Sequence, residues 1–146
     1  MTPMIKANGA EIPAIGFGTW ELRGDTALRA VLAALDVGYR HIDTAAMYGN
    51  EAQVGEAIRS HAAPREEIFI TTKVWATEAG DGPFQRSAEA SLKRLGVDQV
   101  DLLLIHWPST SVPLKEQIFP SATRNAAASP GTSASPISRW SWSSRR

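Results

Sequence analysis

The sequence predicts an α/β protein built around a parallel β-sheet. Strand-like and helix-like segments alternate between residues 14 and 106, giving four strands with three helices between them. The last strand contains the continuous apolar run Leu102-Leu103-Leu104-Ile105, which is typical of a parallel strand buried on both faces. These two observations favour consecutive βαβ units.

A β-hairpin is predicted before the alternating region. Residues 4–6 and 11–12 flank the pair Asn8-Gly9, which readily adopts the positive φ angles of a tight turn. Residues 14–17 then form a short apolar strand that ends at Gly18. The hairpin is therefore separate from the parallel sheet.

The first two helices follow from apolar spacing and from capping residues. Asp25 is expected to cap the first helix and Gly38 to end it, and Asn50 is expected to cap the second helix after a strand over residues 39–43. The residues expected to face the core are Leu28, Val31, Leu32, Leu35, Val54, Ala57 and Ile58.

The cycle then repeats and stops. A strand over residues 68–73 precedes a third helix that ends at Gly96, and the fourth strand covers residues 100–106. The third helix has its apolar face at Phe84, Ala88, Leu92 and Leu95. From residue 119 onward the chain has neither a helical nor an alternating period, and we expect residues 119–146 to be disordered.

Composition excludes several classes of protein. The 15 basic and 15 acidic residues cancel, which argues against a partner such as nucleic acid or a membrane surface. The chain has no cysteine and shows no apolar run or signal peptide of the kind that targets a membrane. We therefore expect a cytoplasmic protein without a metal site.

Three strands end in an ionisable residue, namely Asp43, Lys73 and His106, and Tyr48 follows Asp43 by five residues. Functional residues gather at the carboxyl ends of parallel strands, so these four side chains are expected to share one pocket. A lysine ammonium lowers the pKa of a neighbouring tyrosine, a carboxylate orients the lysine, and a histidine can bond a substrate oxygen. Such a set polarises a carbonyl, which then needs a hydride from a cofactor.

Each of these residues also has a structural interpretation when it is taken alone. Asp43 could be a loop carboxylate, Lys73 a solvated strand end, Tyr48 a packing residue and His106 a satisfied structural histidine. The segment Gly16-Phe17-Gly18 lacks the spacing of a phosphate-binding loop. It is the joint placement of the four residues at successive strand ends that favours a site.

The run from Gly38 to Ala45, followed by Tyr48, Glu51, Val54 and Gly55, resembles the first signature of the aldo-keto reductases. Residues 16–20, 71–75 and 103–108 extend this resemblance, which covers residues 4–118 in the order of that family. Within the family, the sequence is most similar to the bacterial reductases of sugar-derived diketones such as 2,5-diketo-gluconate.

The resemblance implies a truncated (β/α)8 barrel, with the first four strands and three helices following the hairpin, and an NADPH-dependent reductase of aldehydes and ketones. A complete barrel needs about 250 residues, so a chain of 146 residues is too short for one. We expect residues 1–118 to be the N-terminal half of this barrel, and the full-length protein to be a monomer. A catalytically inactive fragment, or a half-barrel that dimerises, are the alternatives.

The resemblance also implies a role for each residue of the site. Tyr48 would donate the proton, assisted by Lys73 and Asp43, and His106 would orient the carbonyl. The nicotinamide end of NADPH would lie near Gly18, Thr19, Trp20 and Asp43. The small-molecule carbonyl substrate would contact Trp20, Tyr48, His106 and Trp107.

The tail departs from the family. Read one frame over, residues 129–146 can give the sequence TRHIGVSNFTVVLVEQA, which contains a run similar to one in the family's next strand. We therefore expect residues 119–146 to be out of frame, with the shift near Gln117 or Ile118.

Overall fold

The structure, a computed structural model, describes residues 2–7, 9–118 and 140–141. The predicted hairpin is confirmed: β1 (Met4–Ala7) pairs antiparallel with β2 (Ala10–Pro13), and Ala7 lies opposite Ala10. Two residues therefore join the strands. Gly9 in this connection has a φ of 81°, which glycine adopts without steric cost.

The predicted parallel sheet is also confirmed. Between residues 14 and 118, five strands follow the hairpin, namely β3 (Phe17–Gly18), β4 (His41–Asp43), β5 (Phe69–Val74), β6 (Gln99–Val100) and β7 (Leu102–Ile105). Four of them form one sheet in the order β3-β4-β5-β7, and every pair in it is parallel. Strands of this sheet that follow one another along the chain are therefore also neighbours in the sheet, as consecutive βαβ units predict.

Helices connect these strands and cover the core. They are α1 (Gly24–Asp36), α2 (Glu51–Ser60) and α3 (Pro83–Leu95), and a short α4 (Leu114–Ile118) follows the sheet. The buried cluster between the long helices and the sheet includes Val31, Leu35, Ile42, Val54, Ile58, Ile70, Leu92 and Leu95. The predicted apolar faces of all three long helices are thus confirmed.

The start of α1 differs from the prediction. The helix begins at Gly24, so Arg23 occupies the N-cap position and Asp25 lies inside the first turn. There its carboxylate forms an exposed ion pair with Arg29, four residues on, at 3.4 Å. An acidic residue in this turn still favours the helix through the macrodipole. Asp25 is therefore a first-turn residue and not the cap.

The first and fourth strands are shorter than predicted. The amide of Ala14 donates to the carbonyl of Pro3 at 2.8 Å, so this residue extends the hairpin and not the parallel sheet. The fourth strand divides at Asp101, whose carboxylate accepts from the amide of Ile70 at 2.9 Å. A side chain thus bonds to β5 at the break between the two segments, β6 and β7.

The prediction that the fourth strand is buried on both faces is wrong. Leu104 is 39% exposed, and the other residues of β7 are half-buried. Within the residues that the structure describes, β7 pairs with β5 on one side only. Because no further strand of this sheet lies beside β7 in the described residues, its side chains lack neighbours on that side, which explains the exposure.

The predicted disorder of residues 119–146 lies outside the described residues except at Trp140 and Ser141. These two form β8 (Trp140–Ser141), which pairs antiparallel with β6 and which the sequence did not predict. No helix in the described ranges is long and apolar enough to cross a membrane.

Candidate active site

A lysine, an aspartate and a tyrosine meet at the carboxyl edge of the sheet. The Nζ atom of Lys73 donates to Oδ1 of Asp43 at 2.5 Å and to the phenol oxygen of Tyr48 at 3.3 Å. It also donates to the backbone carbonyl of Thr44 at 3.0 Å. The ammonium therefore has three oxygen partners, which fix its direction toward the phenol.

Strand register explains why these residues converge. Asp43 ends β4 opposite Thr71, and Lys73 lies two residues further along β5. Side chains two residues apart in a strand point to the same face, so Lys73 projects beyond the end of β4 on the face of Thr71. A 3-10 helix, Ala46–Tyr48, then turns the chain back, and its last residue carries the phenol over the lysine.

His106 completes the group from the neighbouring strand. It directly follows β7, and its backbone amide donates to the carbonyl of Val74 at 2.8 Å. Its ring lies 5.4 Å from the ring of Tyr48, centroid to centroid, and 5.3 Å from the ring of Trp75, in both cases edge to face. The four residues predicted to share a pocket are therefore brought together.

The environment of His106 favours the neutral form of its imidazole. Desolvation by burial lowers the pKa of His106 from 6.5, and the Lys73 ammonium lowers it further, whereas Asp43 acts in the opposite direction. Within the described residues, Nδ1 of His106 is buried and has no hydrogen-bond partner. The ring can therefore use Nε2 as its polar contact.

Two tryptophans border the mouth of this group. Trp20 lies against Tyr48 with a centroid distance of 4.9 Å and is 53% exposed. Trp107 stacks parallel to His106 at 6.4 Å and is 62% exposed. Exposed indoles beside a polar centre can contact the apolar part of a small ligand. Both residues therefore lie beside the side chains that were expected to share a pocket.

Gly18 and Thr19 border the same edge in different ways. Apart from Gly18 itself and its two chain neighbours, no described residue has an atom within 4 Å of a Cβ built on Gly18, so there is open space beside it. Thr19 is buried, and its amide and hydroxyl both donate to the carbonyl of Asp43, at 3.0 and 3.1 Å. Thr19 therefore fixes the backbone of Asp43, while Gly18 leaves room for a ligand.

Asn50 has a different role from the predicted helix cap. It occupies the N-cap position of α2, but its Nδ2 atom donates to the carbonyls of Thr19 and Leu22 at 2.7 and 2.9 Å. Its Oδ1 atom accepts from the hydroxyl of Thr44 at 2.9 Å. The side chain thus connects loops that are distant in sequence, which capping propensity cannot reveal.

Glu51 is a buried carboxylate for which the sequence analysis predicted no role, since it was named only as a matching position of the family signature. Its Oε1 atom accepts from the hydroxyl of Thr72 at 2.5 Å, and Oε2 accepts from Nε of Arg94 at 2.6 Å. Thr72 directly precedes Lys73. Glu51, in α2, therefore connects α3 with β5, the strand that carries Lys73.

The family model "Aldo/keto reductase family" matches residues 14–123, which is most of the chain. The chain belongs to the aldo/keto reductase family. The resemblance seen in the signature residues is thereby confirmed, and so is the expectation of a truncated (β/α)8 barrel.

Individual relatives agree with this assignment. The chain is 55% identical over 105 residues to glycerol 2-dehydrogenase (NADP(+)) of Saccharomyces cerevisiae, covering 72% of this chain. It is 56% identical over 107 residues to an aldehyde reductase of the same yeast, covering 73% of this chain. In each case the match covers 33% of the relative, so the chain spans about a third of their length.

A solved structure shows the same similarity in three dimensions. The crystal structure of a candidate 2,5-diketo-D-gluconic acid reductase B matches with a TM-score of 0.80 and 48% identity. The match covers 87% of this chain and 46% of that chain. The parallel sheet with its helices therefore corresponds to about half of an aldo-keto reductase barrel.

Proposed function

We propose that this chain is the N-terminal half of an enzyme that reduces aldehydes and ketones to alcohols with NADPH. The observation that carries the proposal is the position of Lys73, whose ammonium bonds both the Asp43 carboxylate and the Tyr48 phenol. Family membership and the aldehyde reductase among the relatives support this reaction class.

Tyr48 is the proton donor in this reaction. Its hydroxyl gives a proton to the carbonyl oxygen of the substrate, and the phenolate left behind faces the Lys73 ammonium at 3.3 Å. A positive charge at this distance stabilises the phenolate because opposite charges attract strongly in a partly desolvated site. Asp43 holds the ammonium in place from the other side.

His106 orients the carbonyl. A neutral imidazole carries one proton, and a proton on the buried Nδ1 atom would find no acceptor among the described residues. We therefore place the proton on Nε2, which is then free to donate to the substrate oxygen. Trp20 and Trp107 border the space that the rest of the substrate would occupy.

The nicotinamide end of NADPH would be held by Gly18, Thr19, Trp20 and Asp43. There is open space beside Gly18, and Thr19 holds the backbone carbonyl of Asp43 by two hydrogen bonds, so a flat ring fits at this edge. When bound, NADPH supplies the hydride. The NADP(+) in the name of the glycerol 2-dehydrogenase relative supports this choice of cofactor.

Turnover of an aldehyde tests the proposal. We expect Tyr48→Phe to lower the rate of NADPH oxidation at least about 100-fold, since it removes the general acid. Tyr39→Phe is the matched control, because Tyr39 packs edge to face against Phe17 and is not one of the four residues of the site. Equal rates in Tyr48→Phe and in the unsubstituted chain would remove Tyr48 from the mechanism.

A second candidate is that these 146 residues alone form an inactive fragment. The observation that favours it is the coverage of the relatives, since the match spans about a third of each. Hydride transfer needs the cofactor to be held against the carbonyl, and a chain that forms only part of the barrel would lack part of the contacts that hold it. Fluorescence quenching by NADPH separates the two candidates. Tight binding of NADPH by the purified chain would count against an inactive fragment, and absence of binding would support an inactive fragment.

A further inference from the structure

The loop between β3 and α1 contains a strained residue that the proposed reaction does not use. Glu21 has a φ of 64°, the one positive φ of a non-glycine residue in the described part of the chain. The amide of Leu22 donates to the carbonyl of Thr19 at 3.2 Å, so residues 19–22 form a tight turn with Trp20 and Glu21 at its centre. A left-handed residue with a Cβ persists only where surrounding contacts hold it.

Asn50 supplies such contacts from another part of the chain. Its side chain is fully enclosed, at 1% exposure, and its Nδ2 atom donates to the carbonyls of Thr19 and Leu22. These carbonyls are the first and the last of the turn. A single amide group therefore holds both ends of the segment that carries Trp20.

The same amide is anchored on the catalytic side. The Oδ1 atom of Asn50 accepts from the hydroxyl of Thr44, whose carbonyl accepts from Lys73. Thr19 in turn donates twice to the carbonyl of Asp43. The position of Trp20 is thus fixed relative to the Lys73–Asp43 pair by the side chains of Asn50, Thr44 and Thr19 and by the backbone carbonyls that they and Lys73 contact.

We propose that Asn50 is a positioning residue that holds the Trp20 indole against the Tyr48 phenol and so sets the width of the pocket above the phenol. Asn50 is buried and does not reach the pocket, so it acts through Trp20 and touches no ligand. Its effect on substrate selection rests on the proposed function, whereas the contact between the two rings does not.

Nuclear Overhauser effects between aromatic protons test the contact directly. In a deuterated 146-residue chain with protonated tryptophan and tyrosine, Asn50→Ala is expected to reduce the Trp20–Tyr48 cross-peaks at least about threefold, given the steep distance dependence of a 4.9 Å contact. The Phe17-facing Tyr39 resonances serve as an internal reference for an intact fold. Thr44→Val is the matched control, because it leaves both donations from Nδ2 in place.

The outcomes are distinct. Loss of the Trp20–Tyr48 cross-peaks in Asn50→Ala, with retention in Thr44→Val, supports the role of Asn50. Unchanged cross-peaks in Asn50→Ala overturn it, as does equal loss in both variants. If Asn50→Ala does not fold, the unsubstituted chain decides: slow exchange of the Asn50 side-chain amide protons together with the cross-peaks supports the proposal, and fast exchange overturns it.

Kinetics separate this proposal from the proposed function. Where the chain turns over a small aldehyde, Asn50→Ala is expected to raise KM severalfold and to change kcat less, since the pocket wall moves while Tyr48 and Lys73 keep their contact. An equal fall of kcat at constant KM would contradict a positioning role. A chain without turnover contradicts the proposed function alone, and the cross-peaks still decide the role of Asn50.

Discussion

At the scale of single residues, the imidazole of His106 responds to both burial and charge. Desolvation and the Lys73 ammonium lower its pKa, and the Asp43 carboxylate raises it. Lys73 and Asp43 form an ion pair with 2.5 Å between Nζ and Oδ1. The two charges therefore act in opposite directions on the pKa of the ring. The charge state of His106 therefore depends on the integrity of that pair.

We expect His106 to titrate below pH 6.5 in the folded chain, as measured from its ring proton shifts against pH. His106→Gln identifies its resonance among the three histidines. Lys73→Met should raise the pKa of His106 and Asp43→Asn should lower it, because the first removes a repulsive charge and the second an attractive one. A midpoint at or above 6.5 in the unsubstituted chain would contradict the burial of the ring.

The same pKa shift has a consequence for stability. Because the pKa of His106 is lower in the folded state than in the unfolded one, the unfolded chain binds more protons below pH 6.5. The free energy of unfolding should therefore decrease as the pH falls through 6.5 toward the folded pKa. His106→Gln should weaken this dependence in urea titrations at successive pH values.

At the scale of elements, the packing of α2 on α3 depends on a missing side chain. A Cβ built on Gly55 of α2 would lie 2.7 Å from the Cα of Leu95 and closer still to its carbonyl oxygen. Both atoms belong to the backbone and cannot move aside as a flexible side chain would. The two helices therefore approach closely at Gly55, next to the Glu51–Arg94 ion pair.

Gly55→Ala is expected to destabilise the chain by about 2–3 kcal/mol, because overpacking forces the two helices apart. Gly80→Ala is the matched control, since its nearest atom is a Val112 methyl group at 3.7 Å, an ordinary contact distance. Urea denaturation measures both. A loss for Gly55→Ala no larger than that for Gly80→Ala would show that α2 and α3 can separate without cost.

At the scale of the whole molecule, the described sheet is open at both edges. Among the described residues, β3 pairs only with β4 and β7 only with β5, and Leu104 of β7 is half exposed. In a closed barrel such edges are paired by further strands. The chain therefore presents backbone and apolar groups that the other part of a barrel covers in the family.

We propose that residues 119–146 are read from a shifted frame, and sequencing of codons 115–146 tests this. The match to the family model ends at residue 123, so residues 124–146 lie outside it, which supports a shift close to this point. A single-base shift near codon 117 or 118 should restore a run similar to Arg-His-Ile-Gly-Val-Ser-Asn-Phe. Codons that are incompatible with this run in the other frames would refute the shift.

Much of the fold was predictable because local signals and tertiary packing agree. The turn at Gly9 and the apolar faces of the three long helices require only neighbours within a few residues in sequence. The convergence of Asp43, Lys73, Tyr48 and His106 also followed from the sequence, since parallel strands place their carboxyl ends together whatever the details of packing.

By itself, then, the sequence determined the order of elements, the family and the set of residues at the carboxyl edge. The tertiary structure alone decided that Asn50 bonds the Trp20 turn instead of capping α2, that Glu51 joins Thr72 to Arg94, and that β7 is half exposed. These contacts of Asn50 and Glu51 join residues that are 21 to 43 positions apart in sequence. The exposure of β7 depends on its position at the end of the sheet. Periodicity and capping propensity reach only a few residues along the chain, so they carry no record of such contacts.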